Sequence, residues 1–382
     1  MNWKFWEKKE KPEVKKSKAR EWLDAITFAV IAATLIRWLI MEAFTIPTPS
    51  MEKSLLVGDF LFVSKFHYGT RTPATPLQIP LTHQKIWGTE IPSYVDWIQL
   101  PQYRLPGFTS IQQNDVVVFN VPPKSLNENI DYPIDLKTNY IKRCVGLPGD
   151  VLKIEDKQIY INDKAIENPE EMQFSYLVFS KNALSQRILD DQDITDSQVV
   201  SRDDNGVVQL MYITSAQAET LKKLPFITEV RPSSNNPYRQ FESYHKGELD
   251  NGIFPNDPEL FSWNADWYGP LTIPKEGATI KIDRASLATY GDAITLYEHN
   301  ENAEIKDGKL FIDGKETAEY TFKQNYYFMM GDNRHNSLDS RYWGFVPEDH
   351  VVGKGFFIWL SLDPNKGFFS RIRWRRFFNL IR

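Results

Sequence analysis

The chain has 382 residues, of which 42% are hydrophobic and 25% charged, so it is long enough for about two folded domains and is not mainly disordered. Its formal net charge of -5 gives no indication of a nucleic-acid partner. The single cysteine, Cys144, excludes an intramolecular disulfide and any metal site built from several cysteines.

The chain begins with a basic leader, which we assign to residues 1–21. Residues 1–20 contain eight Lys or Arg and three Glu, a net charge of +5 (8 - 3), so the rest of the chain carries -10 (-5 - 5). The apolar residues 22–44 that follow would span roughly 34 Å as a helix, enough to cross a bilayer. We therefore predict one transmembrane helix at 22–44, with the basic leader in the cytoplasm and the chain from about residue 45 outside. A cleaved signal peptide is the alternative, but no small-x-small cleavage site follows the apolar stretch.

Beyond residue 45 the chain consists largely of short β-branched or aromatic runs bounded by Gly, Pro, Asn and Asp. This pattern predicts a mainly β fold with antiparallel strands. We expect a β-rich core, residues 45–164 and 305–361, and an inserted second domain at 165–304. Two similar segments, IEDKQIYINDK (154–164) and IKDGKLFIDGK (305–315), each predict a hairpin with an Asp-containing turn. They are either an internal repeat or two hairpins that are alike by chance.

The inserted domain and the C-terminal tail each carry a helix signal. In TSAQAETLKKL, Thr214 and Gln217 have the spacing of a capping box. The acidic clusters of the inserted domain lack the spacing of a calcium loop, so we read them as turns or a solvated face and expect no metal or other cofactor. The tail, 362–382, predicts a basic amphipathic helix that docks either on the membrane surface or on the protein. The apolar face of that helix would consist of Trp374, Phe377, Phe378 and Ile381.

Two prolines flank a candidate nucleophile in IPTPSM. Pro47 and Pro49 each fix their own φ and restrict the residue before them, which predicts a stiff extended segment at 46–50 that presents Ser50. A serine acts as a nucleophile only with a base within hydrogen-bond reach. The sequence offers two kinds of base.

Lys142 is the first candidate base. In NYIKRCVGLPGD, strand alternation places it on the same face as Tyr140 and Cys144, where desolvation would lower its pKa and leave a neutral amine. The second candidate is His335 in GDNRHNSLDSRYWG, a motif that also offers Asp332, Ser337, Asp339 and Ser340 for a Ser-His-Asp triad. Spacing does not decide this, since a triad is a matter of geometry.

Four motifs occur in the order IPTPSM, GDFLFVSKF, YIKRCVGLPGD and GDNRHNSLDSRYWG. Together they resemble the motif set of type I signal peptidases, the membrane-bound Ser/Lys proteases that remove signal peptides. The resemblance covers residues 22–68, 115–164 and 305–361. One departure is SMEKSL, where the family usually reads Ser-Met-x-Pro-Thr-Leu, so Lys53 and Ser54 replace a proline and a threonine.

The resemblance implies a role for each motif residue. Ser50 would be the nucleophile, and Lys142 would be the general base. The side chain of Thr48 and the backbone N–H of Ser50 would form the oxyanion hole, and Ser337 would orient the lysine. Structural ion pairs would join Arg143 to Asp332 and Asp339 to Arg341. Shallow apolar substrate pockets would be lined by Ile46, Pro47, Met51, Leu55, Tyr140, Ile141, Met329 and Leu338.

The function implied is a serine endopeptidase that cleaves the signal peptides of exported preproteins after small residues at -1 and -3. Preprotein signal peptides and the lipid bilayer would be its partners, and the secretion translocon is a further candidate. It would be a single-pass protein of the bacterial inner membrane, with a cytoplasmic N-terminus and a periplasmic catalytic domain. Two alternatives remain: another Ser/Lys peptidase, or a membrane-tethered β-rich binding or scaffold protein without activity. No role is evident for the Pro-rich stretch 71–108.

Overall fold

The computed structural model describes residues 17–204, 206–233, 246–247, 249–250, 252–367 and 370–381, so the basic leader before Ser17 lies outside the described residues. The α-helices are α1 Lys18–Leu39, α2 Gln186–Asp191, α3 Ser215–Leu221, α4 Arg284–Asp292 and α5 Ser340–Trp343. The strands are β1 Met41–Thr45, β2 Asp59–Ser64, β3 Val116–Asn120, β4 Asn139–Gly146, β5 Val151–Glu155, β6 Gln158–Ile161, β7 Lys164–Ala165, β8 Gln173–Ser180, β9 Ser197–Asp203, β10 Gly206–Thr214, β11 Ile227–Pro232, β12 Tyr268–Thr272, β13 Thr279–Lys281, β14 Ala303–Lys306, β15 Lys309–Ile312, β16 Lys315–Thr317, β17 Glu319–Thr321, β18 Tyr326–Met330, β19 Val346–Pro347, β20 Val351–Ser361 and β21 Asn379–Leu380. The predicted mainly β, antiparallel fold is confirmed.

The N-terminal helix occupies Lys18–Leu39 rather than the predicted 22–44. Its end is displaced because the next residues form β1, which pairs with β2 along its whole length. In β1 the carboxylate of Glu42 forms ion pairs with Arg37 and Lys65, so the polar end of the apolar stretch belongs to the sheet. α1 is long and apolar enough to cross a membrane, and none of its residues is buried against the rest of the protein.

The main sheet positions both candidate catalytic segments. Its strand order is β1-β2-β20-β3-β4-β18-β19, and β21 pairs with β20. Apolar clusters cover its two faces, one around Leu61 and Val118 and the other around Phe119 and Cys144. All five residues of β3 are buried, as expected for a strand covered on both faces.

Both predicted hairpins form. β5 and β6 turn at Asp156 and Lys157, and β14 and β15 turn at Asp307 and Gly308; all four residues have positive φ. Each hairpin continues into a short third strand, β7 or β16, but the two lie in different sheets.

The segment predicted as one inserted domain, 165–304, divides into two parts. β8 to β11 form a separate four-stranded sheet with its own apolar core, which includes α3. The capping box of Thr214 and Gln217 is present at the start of α3, as predicted. From Ile253 onward the chain instead packs into the same apolar cluster as Leu152 of β5, and β12 pairs with β5. These later residues complete the main core, so only the sheet of β8 to β11, which we call the side sheet, has a core of its own.

The C-terminal tail is not the predicted amphipathic helix. It forms one 3-10 turn, Trp374–Arg376, and then β21 on the edge of β20. The guanidinium of Arg376 forms an ion pair at 2.6 Å with the buried carboxylate of Asp59, and Ile381 packs against the apolar cluster of β2. A buried countercharge and an open strand edge stabilise this extended path, so the tail packs on the domain.

Candidate active site

Ser50 lies where the chain leaves β1 and turns toward β2. The backbone is extended at Thr48, as the prolines predict, but Pro49–Met51 forms a 3-10 turn rather than a continuation of the extended segment. Pro49 starts that turn, a position where its missing N–H costs no hydrogen bond. Ser50 is 9% exposed, and the neighbouring Thr48 is exposed.

Lys142 of β4 reaches Ser50 across the sheet. Its Nζ lies 2.7 Å from Oγ of Ser50 and donates a second hydrogen bond, at 2.9 Å, to the carbonyl oxygen of Ile141. Lys142 is 4% exposed, and its Nζ is 5.4 Å from the ring centroid of Tyr140. Burial lowers the pKa of Lys142 to about 8, although the nearby carboxylates of Asp339 and Asp332 raise it.

Two buried ion pairs support the site, both between the predicted partners. Arg143 forms a bidentate pair with Asp332 at 2.8 and 2.7 Å. Arg341 pairs with Asp339 at 2.9 and 2.8 Å, and Asp339 also accepts from the backbone N–H of Gly331. Burial raises the pKa of each aspartate, but its arginine partner outweighs this and the pKa is lowered. Both carboxylates are therefore held as anions within the scaffold.

Asn333 lies in the motif GDNRHNSLDSRYWG, but no role for it was predicted from the sequence. Its backbone N–H donates to the carbonyl oxygen of Ser50 at 3.1 Å, and its Nδ2 donates to the carbonyl oxygen of Pro49 at 3.2 Å. Asn333 has no exposed surface. It joins the loop after β18 directly to the turn that carries Ser50.

Ser337 lies near the nucleophile, but no hydrogen bond to Lys142 is present in the described part of the chain. Its buried side chain lies beside Asp339 and helps to lower the pKa of that carboxylate through a side-chain hydrogen bond. A Cβ built on Gly331 would lie 2.2 Å from Oγ of Ser337 and 2.5 Å from the carbonyl oxygen of Ser50. Gly331 therefore allows the loop carrying Ser337 to pack closely against the nucleophile turn.

The eight residues expected to line substrate pockets differ in their exposure. Met51, Leu55 and Met329 have no exposed surface and belong to the two apolar clusters that cover the main sheet. Leu338 is 47% exposed. The other four are the buried Ile46, the exposed Pro47, and the half-buried Tyr140 and Ile141.

His335 lies in a different buried cluster. Its Nδ1 is 2.7 Å from Oγ of Ser175 in β8, and its Nε2 is 2.8 Å from Oδ1 of Asp266. Both ring nitrogens therefore have partners other than Ser50. The alternative in which His335 is the base for Ser50 is wrong, because the structure places this histidine on Ser175 and Asp266.

The side sheet contacts both segments of the site. Lys53, which departs from the family pattern, binds the backbone and side-chain oxygens of Asp193 with its Nζ. On the other side, Gln173 of β8 donates its N–H to the carbonyl oxygen of Asp332 at 3.0 Å. No group of three or more His, Cys, Asp or Glu side chains with the geometry of a metal site occurs among the described residues.

Comparison with known proteins identifies the family. Residues 19–208 and 273–360 match the family described as signal peptidase, peptidase S26. The unmatched residues 209–272 include β11 and the end of the side sheet.

Similar proteins of three bacteria bear the name signal peptidase I. The Rickettsia felis protein is 30% identical over 352 residues, which cover 92% of this chain and 83% of that protein. The Buchnera aphidicola (Acyrthosiphon pisum) protein is 27% identical over 340 residues, or 88% of this chain and 73% of that protein. The Haemophilus influenzae protein is 26% identical over 384 residues, or 96% of this chain and 77% of that protein.

Proposed function

Since the chain belongs to the signal peptidase family, peptidase S26, and is a signal-peptide-cleaving peptidase, we propose that Ser50 is its nucleophile and that neutral Lys142 is its general base. The observation that carries this proposal is the 2.7 Å contact between Nζ of Lys142 and Oγ of Ser50, made by a buried lysine with a pKa near 8. A solvated lysine is almost fully protonated at neutral pH, whereas Lys142, with a pKa of about 8, is neutral in roughly a tenth of the molecules at pH 7.

The reaction begins when Oγ of Ser50 attacks the carbonyl carbon of the scissile peptide bond. Nζ of Lys142 takes the proton from Oγ and then donates it to the nitrogen of the leaving peptide, which departs as an amine. Water attacks the carbonyl carbon of the resulting ester while Nζ accepts a proton from it. The bond between that carbon and Oγ of Ser50 then breaks, Nζ returns the proton to Oγ, and the carboxylic acid product leaves. The chemistry needs no cofactor.

The negative charge on the attacked carbonyl oxygen requires two donors. We assign these to the N–H of Ser50 and the hydroxyl of Thr48. Ser50 is at the start of a helical turn, where N–H groups have no partner within the turn. Thr48 is exposed and makes no side-chain cap to that turn, so its hydroxyl is available to a substrate.

Ser337 is proposed to orient Lys142 during the reaction. Its position across Gly331 from Ser50 supports this role.

Cleavage after small residues at -1 and -3 agrees with an apolar site of limited depth. The partly exposed members, Leu338 and Ile141, are placed to contact substrate directly, whereas Met51, Leu55 and Met329 would form the floor. A floor of fully packed side chains leaves room for small residues and excludes large ones.

We further propose that α1 is a single-pass anchor with a cytoplasmic N-terminus, which places the β-rich catalytic core on the periplasmic side of the inner membrane. The basic character of residues 1–20 supports this orientation. Ser50 follows the end of α1 by one short strand, so the nucleophile stays close to the membrane surface where a signal peptide emerges. The bilayer and the preprotein are then its partners, and the secretion translocon is a further candidate.

The experiment is cleavage of a purified preprotein by the full chain in detergent, with the new N-terminus identified by mass spectrometry. The wild-type protein is expected to cut after a small-x-small site, and Ser50→Ala is expected to leave the preprotein intact. An inactive wild-type protein would favour the scaffold alternative. Cleavage by Ser50→Ala would assign the nucleophile to another residue.

A further inference from the structure

A cavity of about 340 Å³, lined by both polar and apolar side chains, lies between the end of α1 and the Pro-rich segment 71–108, which we call the arm. The helix contributes Thr34, Arg37 and Trp38 to its wall. The arm contributes Arg71, Thr72, Pro73, Thr75, Pro76, Gln78, Ile79, Pro80, Leu81, Thr82, His83 and Gln102. Neither Ser50 nor Lys142 lines it, so this cavity is separate from the candidate active site.

Hydrogen bonds fix the arm against the last turns of α1. Nε1 of Trp38 donates to the carbonyl oxygen of Arg71 at 3.0 Å, and the guanidinium of Arg37 donates to the carbonyl oxygen of Thr82 at 3.2 Å. The cavity wall joins Leu81 to Thr34, which precedes the helix end by more than one turn. If α1 spans the bilayer as proposed, the part of the arm around Leu81, which we call its tip, lies at the level of the membrane surface.

The exposed surface of the arm is unusually apolar. Trp87 is 72% exposed and Trp97 is 86% exposed. Further exposed apolar side chains are Leu77, Ile79, Leu81, Ile91, Val95, Ile98, Leu100, Tyr103, Leu105 and Phe108. Large exposed apolar patches mark interaction sites, and tryptophans concentrate at membrane interfaces. The arm therefore has the composition of a segment that contacts lipid.

The cavity also holds a cation that no carboxylate binds directly. Arg71 donates to the backbone oxygen of Asp349 and the side-chain oxygen of Asn120, both neutral acceptors. The two carboxylates that line the cavity have other partners. Glu42 pairs with Arg37 and Lys65. Asp135 accepts from Thr75 and from the backbone N–H of Ala74.

Gln102 adds an unused pair of polar atoms. Both Oε1 and Nε2 are buried, and neither has a hydrogen-bond partner. A buried amide without partners costs free energy, so such a group in a cavity wall points to a polar ligand. The volume is in the range of small-ligand sites.

We propose that this cavity binds the phosphate group of an anionic phospholipid, with Arg71 supplying the charge and Gln102 a hydrogen bond. The inference rests on the proposed membrane topology of α1. The apolar tip of the arm then lies beside the acyl chains of the same lipid, and the arm holds the catalytic core at a fixed height on the membrane.

The test measures the thermal unfolding of the purified full chain in mixed micelles at constant ionic strength. Phosphatidylglycerol, phosphatidylcholine and inorganic phosphate are added separately. We expect phosphatidylglycerol to raise Tm by on the order of a few degrees over phosphatidylcholine, because a ligand that binds only the folded state stabilises it. Inorganic phosphate, which lacks contacts with the arm, should have a much smaller effect.

Three variants locate the effect. Gln102→Glu places a carboxylate in the cavity with Arg71 and should abolish the phosphatidylglycerol shift, and Gln102→Leu should reduce it. Gln99→Glu adds the same charge to the arm outside the cavity wall and should keep the shift. Equal shifts from the two lipids, or an unchanged shift in Gln102→Glu, would overturn the proposal. An equal shift from inorganic phosphate would make this a free-phosphate site instead.

Cleavage of a short soluble peptide is measured on the same variants to separate this proposal from the catalytic one. Gln102→Glu should retain that cleavage. A lack of peptide cleavage in all variants would count against the proposed catalytic mechanism and leave the lipid result standing.

Discussion

Ser50 and Ser175 each lie 2.7 Å from a nitrogen base, and of these two only Ser50 is a candidate nucleophile. Ser50 contacts Lys142, whereas Ser175 contacts His335, whose other ring nitrogen binds Asp266. The second set has the residue types of a Ser-His-Asp triad. However, Ser175 has no exposed surface and its Oγ is also 2.9 Å from the carbonyl oxygen of Ser233. A serine–base contact therefore indicates catalysis only where a substrate can reach it.

Burial has a different consequence in each of the two clusters. At Lys142, burial lowers the pKa and favours the neutral amine that a general base requires. At His335, both ring nitrogens are engaged, and the residue joins β8 of the side sheet to the loop after β18. We interpret the histidine cluster as a structural connection between the side sheet and the core.

The largest expected effect separates the two serines by activity. Ser50→Ala should lower kcat/KM for signal-peptide cleavage by at least about 10⁴-fold, because removing one member of a catalytic unit loses nearly the whole benefit of the unit. Ser175→Ala, the matched control, should retain cleavage per folded molecule. Steady-state kinetics on both variants provide the comparison, and a comparable loss in Ser175→Ala would remove the distinction between the clusters.

Lys142→Met should lose activity to a similar degree but gain stability. The pKa of Lys142 is about 8 in the folded protein and about 10.4 in the unfolded chain, so the folded state binds fewer protons between these values. Burying the lysine is thus destabilising below pH 8, by on the order of 3 kcal/mol, and the penalty disappears as the pH rises through 10.4. Denaturant unfolding at pH 7 should give Lys142→Met a larger free energy of unfolding than the wild-type protein. At pH 10.5 this difference should be smaller. If Lys142→Met is less stable than the wild-type protein at pH 7, burial does not lower the pKa of Lys142 as proposed.

The next effect concerns the oxyanion hole. Thr48→Val keeps the shape of the side chain and removes its hydroxyl, so kcat should fall about a hundredfold, the effect typical of one lost oxyanion donor, with KM little changed. Thr48→Ser, which restores a hydroxyl, should recover most of the rate. Unchanged turnover in the valine variant would assign the donor elsewhere.

The smallest effect on catalysis is expected at the histidine cluster. His335→Ala removes the 2.8 Å hydrogen bond between Nε2 and the buried carboxylate of Asp266 and should lower the free energy of unfolding by about 1 to 3 kcal/mol. Cleavage per folded molecule should change little at temperatures well below Tm. Unfolding curves of both proteins measure the stability, and cleavage rates are corrected for the fraction of folded protein. A variant as stable as the wild-type protein would contradict the structural interpretation.

The sequence predicted those features that depend on local pattern. Alternation along β4 places Lys142 with Tyr140, and turn residues located both hairpins. These agree because strand period and turn chemistry are set by neighbouring residues. The two buried arginine–aspartate pairs, in contrast, were implied by the resemblance to the type I signal peptidases and not by local pattern.

Features that depend on distant partners were not predictable. The tail has helical spacing, but Asp59 and the open edge of β20 hold it extended. Asn333 has no local signal that it contacts the backbone of Ser50, and the link from Lys53 to Asp193 joins segments far apart in the chain. Tertiary hydrogen bonds of this kind override local propensity and leave no periodic trace.

The most direct test of the central claim is the pH dependence of kcat/KM on a soluble peptide with a small-x-small site, measured for the wild-type protein and His335→Ala. If neutral Lys142 is the base, activity falls tenfold per pH unit below its pKa, and the curve levels off near pH 8 in both proteins. Loss of both the pH-dependent limb and the activity in His335→Ala would assign the base to the histidine and contradict the Ser50–Lys142 mechanism.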